Sequence, residues 1–310
     1  MASAEGAEKR ERLIFASIVL PNRSSETNAL LLGESIRVFA GSLSQAPIWF
    51  FSPESGEQLS AAVEDRLRAF DVSVIPFEID PEALRFPLAG HVHAAALAER
   101  MASDRADLLA WLDANTVVVH EPRDLLLQDD VSLGFRPVHH TLVGSRYDEP
   151  IDDFWSLIYR YCGVPEGRVF PMTTHVDGAV IRPYFNAGLL VVRPERRLLR
   201  AWRDAFLRVY REPPLRELYR RDERYKVFVH QAVLSGVILS TLATDEIQEL
   251  PPRYNYPLHL HEEDVTGRRP TGLEELATFR HEGFYEDPKW RKKMPAKEPL
   301  KRWIAARLSR

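Results

Sequence analysis

Over the first 120 residues, unbroken apolar runs alternate with stretches whose apolar residues recur every three or four positions. Residues 13–20 (LIFASIVL) are continuously apolar and stop at Pro21-Asn22, the pattern of a parallel strand buried on both faces. Thr27 or Asn28 is placed to cap a helix running to Phe39, with Leu31, Ile36 and Phe39 on one face. Residues 47–51 (PIWFF) predict a second strand. Residues 56–70 predict a helix with Leu59, Val63, Leu67 and Phe70 inward, and residues 72–77 a third strand. A helix over about 91–101, carrying Leu97 and Met101, leads into an apolar run that begins at Leu108. Strand and helix alternating in this way predict a mostly parallel sheet with helices on both faces.

Beyond Val119 the pattern changes. Residues 133–137 and 141–145 read as shorter, partly antiparallel strands, and Asp177-Gly178 between apolar segments predicts a hairpin. Residues 185–192 (FNAGLLVV) form another buried strand. An Arg-rich helix over 196–210, with Leu199, Trp202 and Phe206 inward, and an apolar helix over 226–242 follow. No internal repeat interrupts the chain. Residues 1–12 are expected to be a disordered tail, 13–290 a single domain with halves 13–120 and 121–290, and 291–310 a basic C-terminal tail.

At 310 residues and 45% hydrophobic content the chain can bury a large core, and no apolar run approaches the eighteen residues of a membrane span. The polar start has no secretory apolar region, and one cysteine, Cys162, excludes an internal disulfide. Both point to the cytoplasm. The net charge of −4 hides an asymmetry: residues 289–310 hold nine Lys or Arg against Glu298 alone. With Trp290, Trp303, Ile304 and Leu308 interleaved, this segment is either an amphipathic helix packed on its own domain or a peripheral contact with anionic lipid at the inner membrane face. Lipid is the partner retained, and no nucleic acid is expected.

The segment Trp111-Leu112-Asp113-Ala114-Asn115-Thr116-Val117-Val118 concentrates the chemistry. An apolar strand delivers a carboxylate and an amide, one residue apart, to the carboxyl edge of a sheet, where α/β folds bind ligands. Both side chains can reach a hard cation or sugar hydroxyls. The plain alternative is an Asp/Asn turn between two strands.

Four segments in order resemble GT-A glycosyltransferases, particularly the retaining family 8 group of glycogenin and bacterial lipopolysaccharide glycosyltransferases. The Asp113-Ala114-Asn115 strand end is similar to the Asp-x-Asp motif, and Tyr184-Phe185-Asn186-Ala187-Gly188 to the Phe-Asn-Ala-Gly strand. Val229-His230-Gln231 resembles the Asp-Gln helix. Tyr254-Asn255-Tyr256, followed by Phe279-Arg280-His281-Glu282-Gly283, resembles the Tyr-Asn segment and the late metal-binding His with its Gly. Asn115 replaces the second Asp, His230 replaces the Asp of Asp-Gln, and the terminal Lys-Pro-Trp is permuted to Pro288-Lys289-Trp290.

The resemblance implies an α/β chain with the GT-A fold: a Rossmann-like, mixed, mostly parallel sheet flanked by helices. It implies sugar transfer, with retention, from a UDP-sugar to an unknown acceptor (glycan, lipid-linked or small molecule), assisted by Mn²⁺ or Mg²⁺. Asp113, Asn115 and His281 would hold the metal, weakly because Asn is neutral. Asp113, Asn186 and Gln231 would be the catalytic residues. Asp113, Gly188, Gly283 and Lys289 would contact the donor, with the base near Pro21 and Asn22. The paired histidines His91/His93, His139/His140 and His259/His261 accompany no zinc motif, so separate roles are expected. A non-catalytic GT-A protein that binds nucleotide sugar or glycan is the competing reading.

Overall fold

β1 (Glu11–Ile18), β2 (Ile48–Pro53), β3 (Val72–Phe77) and β4 (Ala106–Leu112) pair in parallel in the spatial order β4-β1-β2-β3. The structure, a computed structural model, describes residues 10–54 and 57–308. After β4 the chain leaves this sheet through β5 (Thr116–Val118) and returns as β6 (Leu133–Pro137). The hairpin expected at Asp177-Gly178 forms from β7 (Met172–Thr173) and β8 (Val180–Ile181). β9 (Phe185–Val192) then inserts between β4 and β6, antiparallel to both, and β10 (Ile247–Glu249) closes the edge parallel to β6. The central sheet has seven strands in the order β10-β6-β9-β4-β1-β2-β3. A second sheet joins β11 (Tyr256–Pro257), β12 (Thr278–Arg280) and β5. Segment 141–145, expected as a strand, is a turn instead, in which the Gly144 N–H donates to the Thr141 carbonyl.

The unbroken apolar strands follow from burial on both faces. Leu13 and Phe15 of β1 enter one core with α1 (Arg23–Phe39) and α2 (Ala61–Ala69). Ile14, Ala16 and Ile18 enter the other, under α3 (Pro81–Leu84), α4 (Ala89–Ala102), α5 (Asp153–Cys162), α6 (Leu198–Val209), α7 (Pro213–Arg221) and α8 (Glu223–Thr241). The cap of α1 is Asn22 rather than Thr27 or Asn28. Its side-chain oxygen accepts the Ser25 N–H at 3.0 Å, and Glu26 in the first turn suits the helix dipole. α4 and α6 are joined by Glu99, fully buried, which accepts the Leu199 and Arg200 backbone N–H groups at 3.0 and 2.9 Å and pairs with the Arg200 guanidinium.

Residues 1–9 lie outside the described residues, while Glu11 and Arg12 already belong to β1. The basic segment is no detached tail: α9 (Trp290–Lys293) and α10 (Leu300–Leu308) pack on the domain. Ile304 is fully buried, Trp303 meets Phe39 edge-on at 4.9 Å, and Arg307 lies over the Trp303 ring while pairing with Glu34. Burial of these apolar side chains is why the segment folds back.

Candidate active site

Strand direction builds the site. β9 runs opposite to β4, so its first residues lie at the edge where β4 ends, with Leu189 opposite Leu112. The chain there makes the turn Asp113-Ala114-Asn115, closed by the Thr116 N–H on the Asp113 carbonyl at 3.0 Å, while the Asp113 N–H donates to Gly188 at 2.8 Å. The plain Asp/Asn turn is thus present, and it lies at the carboxyl edge of the sheet. β12 pairs antiparallel with β5, opposing Arg280 to Thr116, and the His281 N–H reaches the Asn115 carbonyl. From the third side comes α8. Gln231 lies well inside it and accepts the Ala187 N–H at 2.8 Å.

The centre of this convergence is the Arg280 guanidinium. Nε donates to Asn115 Oδ1 at 3.0 Å, Nη1 to Asn186 Oδ1 at 3.2 Å, and Nη2 to Asp113 Oδ2 at 2.8 Å and to Glu282. Gly188 makes room for it: a Cβ there would lie 2.2 Å from Nη1 and 2.8 Å from Cζ. Asn186 Oδ1 also accepts the Gly188 N–H at 2.8 Å, and its amide nitrogen faces His139 Nε2 at 3.3 Å. Glu282 pairs in turn with His259 at 3.2 Å.

These groups line a cavity of about 260 Å³ with Leu88, Tyr184 and Trp202 as apolar wall, and with His91, His139, His140, His230 and His259. Burial works to raise the Asp113 pKa, but Arg280, His91 and the Asn115 N–H together hold it below the usual carboxylate range. Burial pushes His230 down to about 3 and His139 well below its ordinary value, so both rings stay neutral. His230 Nδ1 contacts the Val227 carbonyl, and its own carbonyl accepts the Trp202 indole N–H.

Asp113, Asn186, Gly188 and Gln231 therefore meet at one cavity. Pro21, Asn22, Gly283 and Lys289 do not line it. Asn22 caps α1, Gly283 turns the chain after β12 at φ 78°, and Lys289 is exposed at the start of α9. Sequence reasoning missed Arg280, Glu282 and the clustering of the histidines.

The expected metal ligands do not fit a divalent ion. Asp113 and Asn115 both spend an oxygen on Arg280, whose positive charge lies where the cation would have to come within about 2.1 Å of them. His281 is buried against Tyr285 at 4.6 Å with both ring nitrogens unpartnered, held down to about 3 by burial, and is not in the cavity wall. Among the described residues no three His, Cys, Asp or Glu converge to hold a metal ion.

A mixed sheet with one reversed strand, and a carboxylate turn at its carboxyl edge, is the GT-A glycosyltransferase fold. The chain superposes on galactosyltransferase LgtC in complex with donor and acceptor sugar analogs, with TM-score 0.51, 17% identity, and 96% of this chain and 94% of that one covered. It also superposes on the apo bifunctional glycosyltransferase WbbM, with TM-score 0.51, 13% identity, and 99% of this chain and 53% of that one covered. Residues 16–241 match the Rhodobacterales glycosyltransferase domain, and the chain belongs to that family of enzymes. No protein of curated function matches it in sequence.

Proposed function

We propose that this glycosyltransferase takes its sugar from a nucleoside-diphospho sugar, a UDP-sugar, bound at the carboxyl edge of the central sheet, and transfers it with retention to a hydroxyl acceptor. The observation that carries this reading is the convergence of Asp113, Asn186, Gly188 and Gln231, from three separate elements, on one cavity. In the transfer the bond between the anomeric carbon and the β-phosphate oxygen breaks, its electron pair leaving with UDP. The acceptor oxygen bonds to that carbon, and its proton passes to the departing diphosphate oxygen. Asp113 is held ionised, suited to orienting sugar or ribose hydroxyls, and Asn186 and Gln231 offer amides beside the sugar. The neutral histidines supply hydrogen bonds without charge that would oppose the developing oxocarbenium ion.

Leu142, half-exposed at the cavity, and the exposed Tyr147, Ile151, Val180 and Val265 suit an acceptor with an apolar portion, with recognition in segments 147–174 and 259–272. No helix among the described residues is long and apolar enough to cross a membrane. A cytoplasmic enzyme touching anionic headgroups through its basic C-terminal helices is the reading kept for its location. The test is thermal unfolding with UDP. Binding to the native state alone raises Tm, and Asp113→Ala should remove the rise while leaving the free protein folded. Equal rises in both proteins would sink the assignment.

A further inference from the structure

We infer that Arg280 stands in for the divalent ion, so that this enzyme binds the diphosphate of its donor without metal. The inference rests on the donor-site reading above. Asp113, Asn115, Asn186 and Gly188, which the resemblance gives to metal and sugar, all close on one guanidinium, three by hydrogen bonds and the fourth by leaving out its Cβ. Arg280 is also the only Lys or Arg among the described residues lining the cavity, so a diphosphate there has no other fixed positive charge to meet.

The guanidinium carries five N–H donors, of which four are engaged, and its planar fork matches phosphate oxygens. Of its two carboxylate partners Glu282 is the more exposed, 33% against 23% for Asp113, and it already has His259 as a second partner. A phosphate oxygen can therefore take Glu282's place on Nη2 while Glu282 keeps His259. Asn115 follows from the same arrangement. Asp113 and Glu282 already face Arg280, and a third carboxylate would add a further negative charge against the diphosphate, whereas an amide oxygen orients the fork and adds none.

The experiment is calorimetric titration of UDP into the intact protein, first in EDTA and then in excess Mn²⁺. The wild-type dissociation constants should agree within about twofold, since no ion takes part. In EDTA, Arg280→Met should bind at least about tenfold more weakly, the loss expected of a charge-assisted phosphate contact, and Arg280→Lys should fall between. Wild-type binding weakened tenfold by EDTA would overturn the inference while leaving the donor site intact. So would Arg280→Met binding like wild type in EDTA. No binding by the wild type in either buffer would remove the donor-site reading and this inference together. The wild-type pair of titrations decides even if the Met variant fails to fold.

Discussion

Gly188→Ala tests the architecture of the site with a single methyl group. The added Cβ would lie 2.2 Å from Arg280 Nη1, 2.8 Å from its Cζ and 3.0 Å from Asn186 Oδ1. Real Cβ atoms do not approach so closely, so either the strand shifts or the guanidinium leaves. The strand is held by Asp113 N–H on the Gly188 carbonyl and by ladders to β4 and β6, so the guanidinium should yield. Its departure strips a charge-assisted bond from Asp113 and bonds from Asn115 and Asn186. Overpacking costs about 1–3 kcal/mol, and each bond to a charged group contributes about 1.5–3 kcal/mol, partly recovered through water. A loss of about 2–4 kcal/mol follows, or a fall in Tm of roughly 3–6 °C for a domain of this size. Urea unfolding gives the stability, and the same melts with UDP give the ligand shift, which should vanish. If Gly188→Ala keeps both the wild-type midpoint and the UDP shift, the guanidinium is not wedged against Gly188 and the site is wrongly drawn.

Other outcomes follow from the same contacts. Glu282→Gln removes the carboxylate that competes with phosphate for Nη2, so UDP affinity in EDTA should rise; a fall, measured by titration, would speak against the displacement. Asn115→Asp should weaken UDP binding in EDTA by roughly tenfold, because a third acid beside Arg280, after Asp113 and Glu282, repels the diphosphate; tightening that depends on Mn²⁺ would favour a metal site instead. His175 and His230 are both pushed down to about 3 by burial. Their folded pKa values lie below the unfolded ones, so their neutral forms stabilise fully above about pH 6.5 and lose that effect as pH falls towards 3. The unfolding free energy from urea titration should drop between pH 7 and 5.5 by roughly 1 kcal/mol for each histidine, and less in His230→Gln; a flat profile would contradict this. Ile304→Ala should cost about 2–4 kcal/mol because α10 is packed structure. If its basic residues touch anionic vesicles, raised salt should release the protein, and salt-insensitive binding would exclude that contact.

Much of the fold was legible because buried strands leave unambiguous runs. β3 and β9 begin and end where the apolar runs at 72–77 and 185–192 do. The helix starts were less legible, since Asn22, Thr27 and Asn28 are all competent caps and only the end of β1 at Ile18 selects the first. Segment 141–145 carries strand-like residues but among the described residues its backbone contact with a strand is confined to the Ser145 carbonyl, which accepts the Arg182 N–H at 2.8 Å beside the isolated bridge of Arg146 with Ile181. At the site, Asp113, Asn186 and Gln231 could be read from motif order. Arg280 could not. On a short segment alternating with acid it reads as a solvated charge, and only the pairing of β12 with β5 carries it across 165 positions to Asn115. Lys289, assigned to the donor from the permuted Lys-Pro-Trp, stands outside the cavity wall at the start of α9, after the turn at Gly283.

Metal-free use of a donor sugar is read by release of UDP from a panel of UDP-sugars by the wild-type enzyme, in EDTA and without acceptor, followed by coupled detection of UDP. Many glycosyltransferases hydrolyse their donor slowly in this way. Release is expected from at least one UDP-sugar, unchanged by Mn²⁺, and lost in both Asp113→Ala and Arg280→Met. Release that requires Mn²⁺, or that survives either substitution, would contradict it.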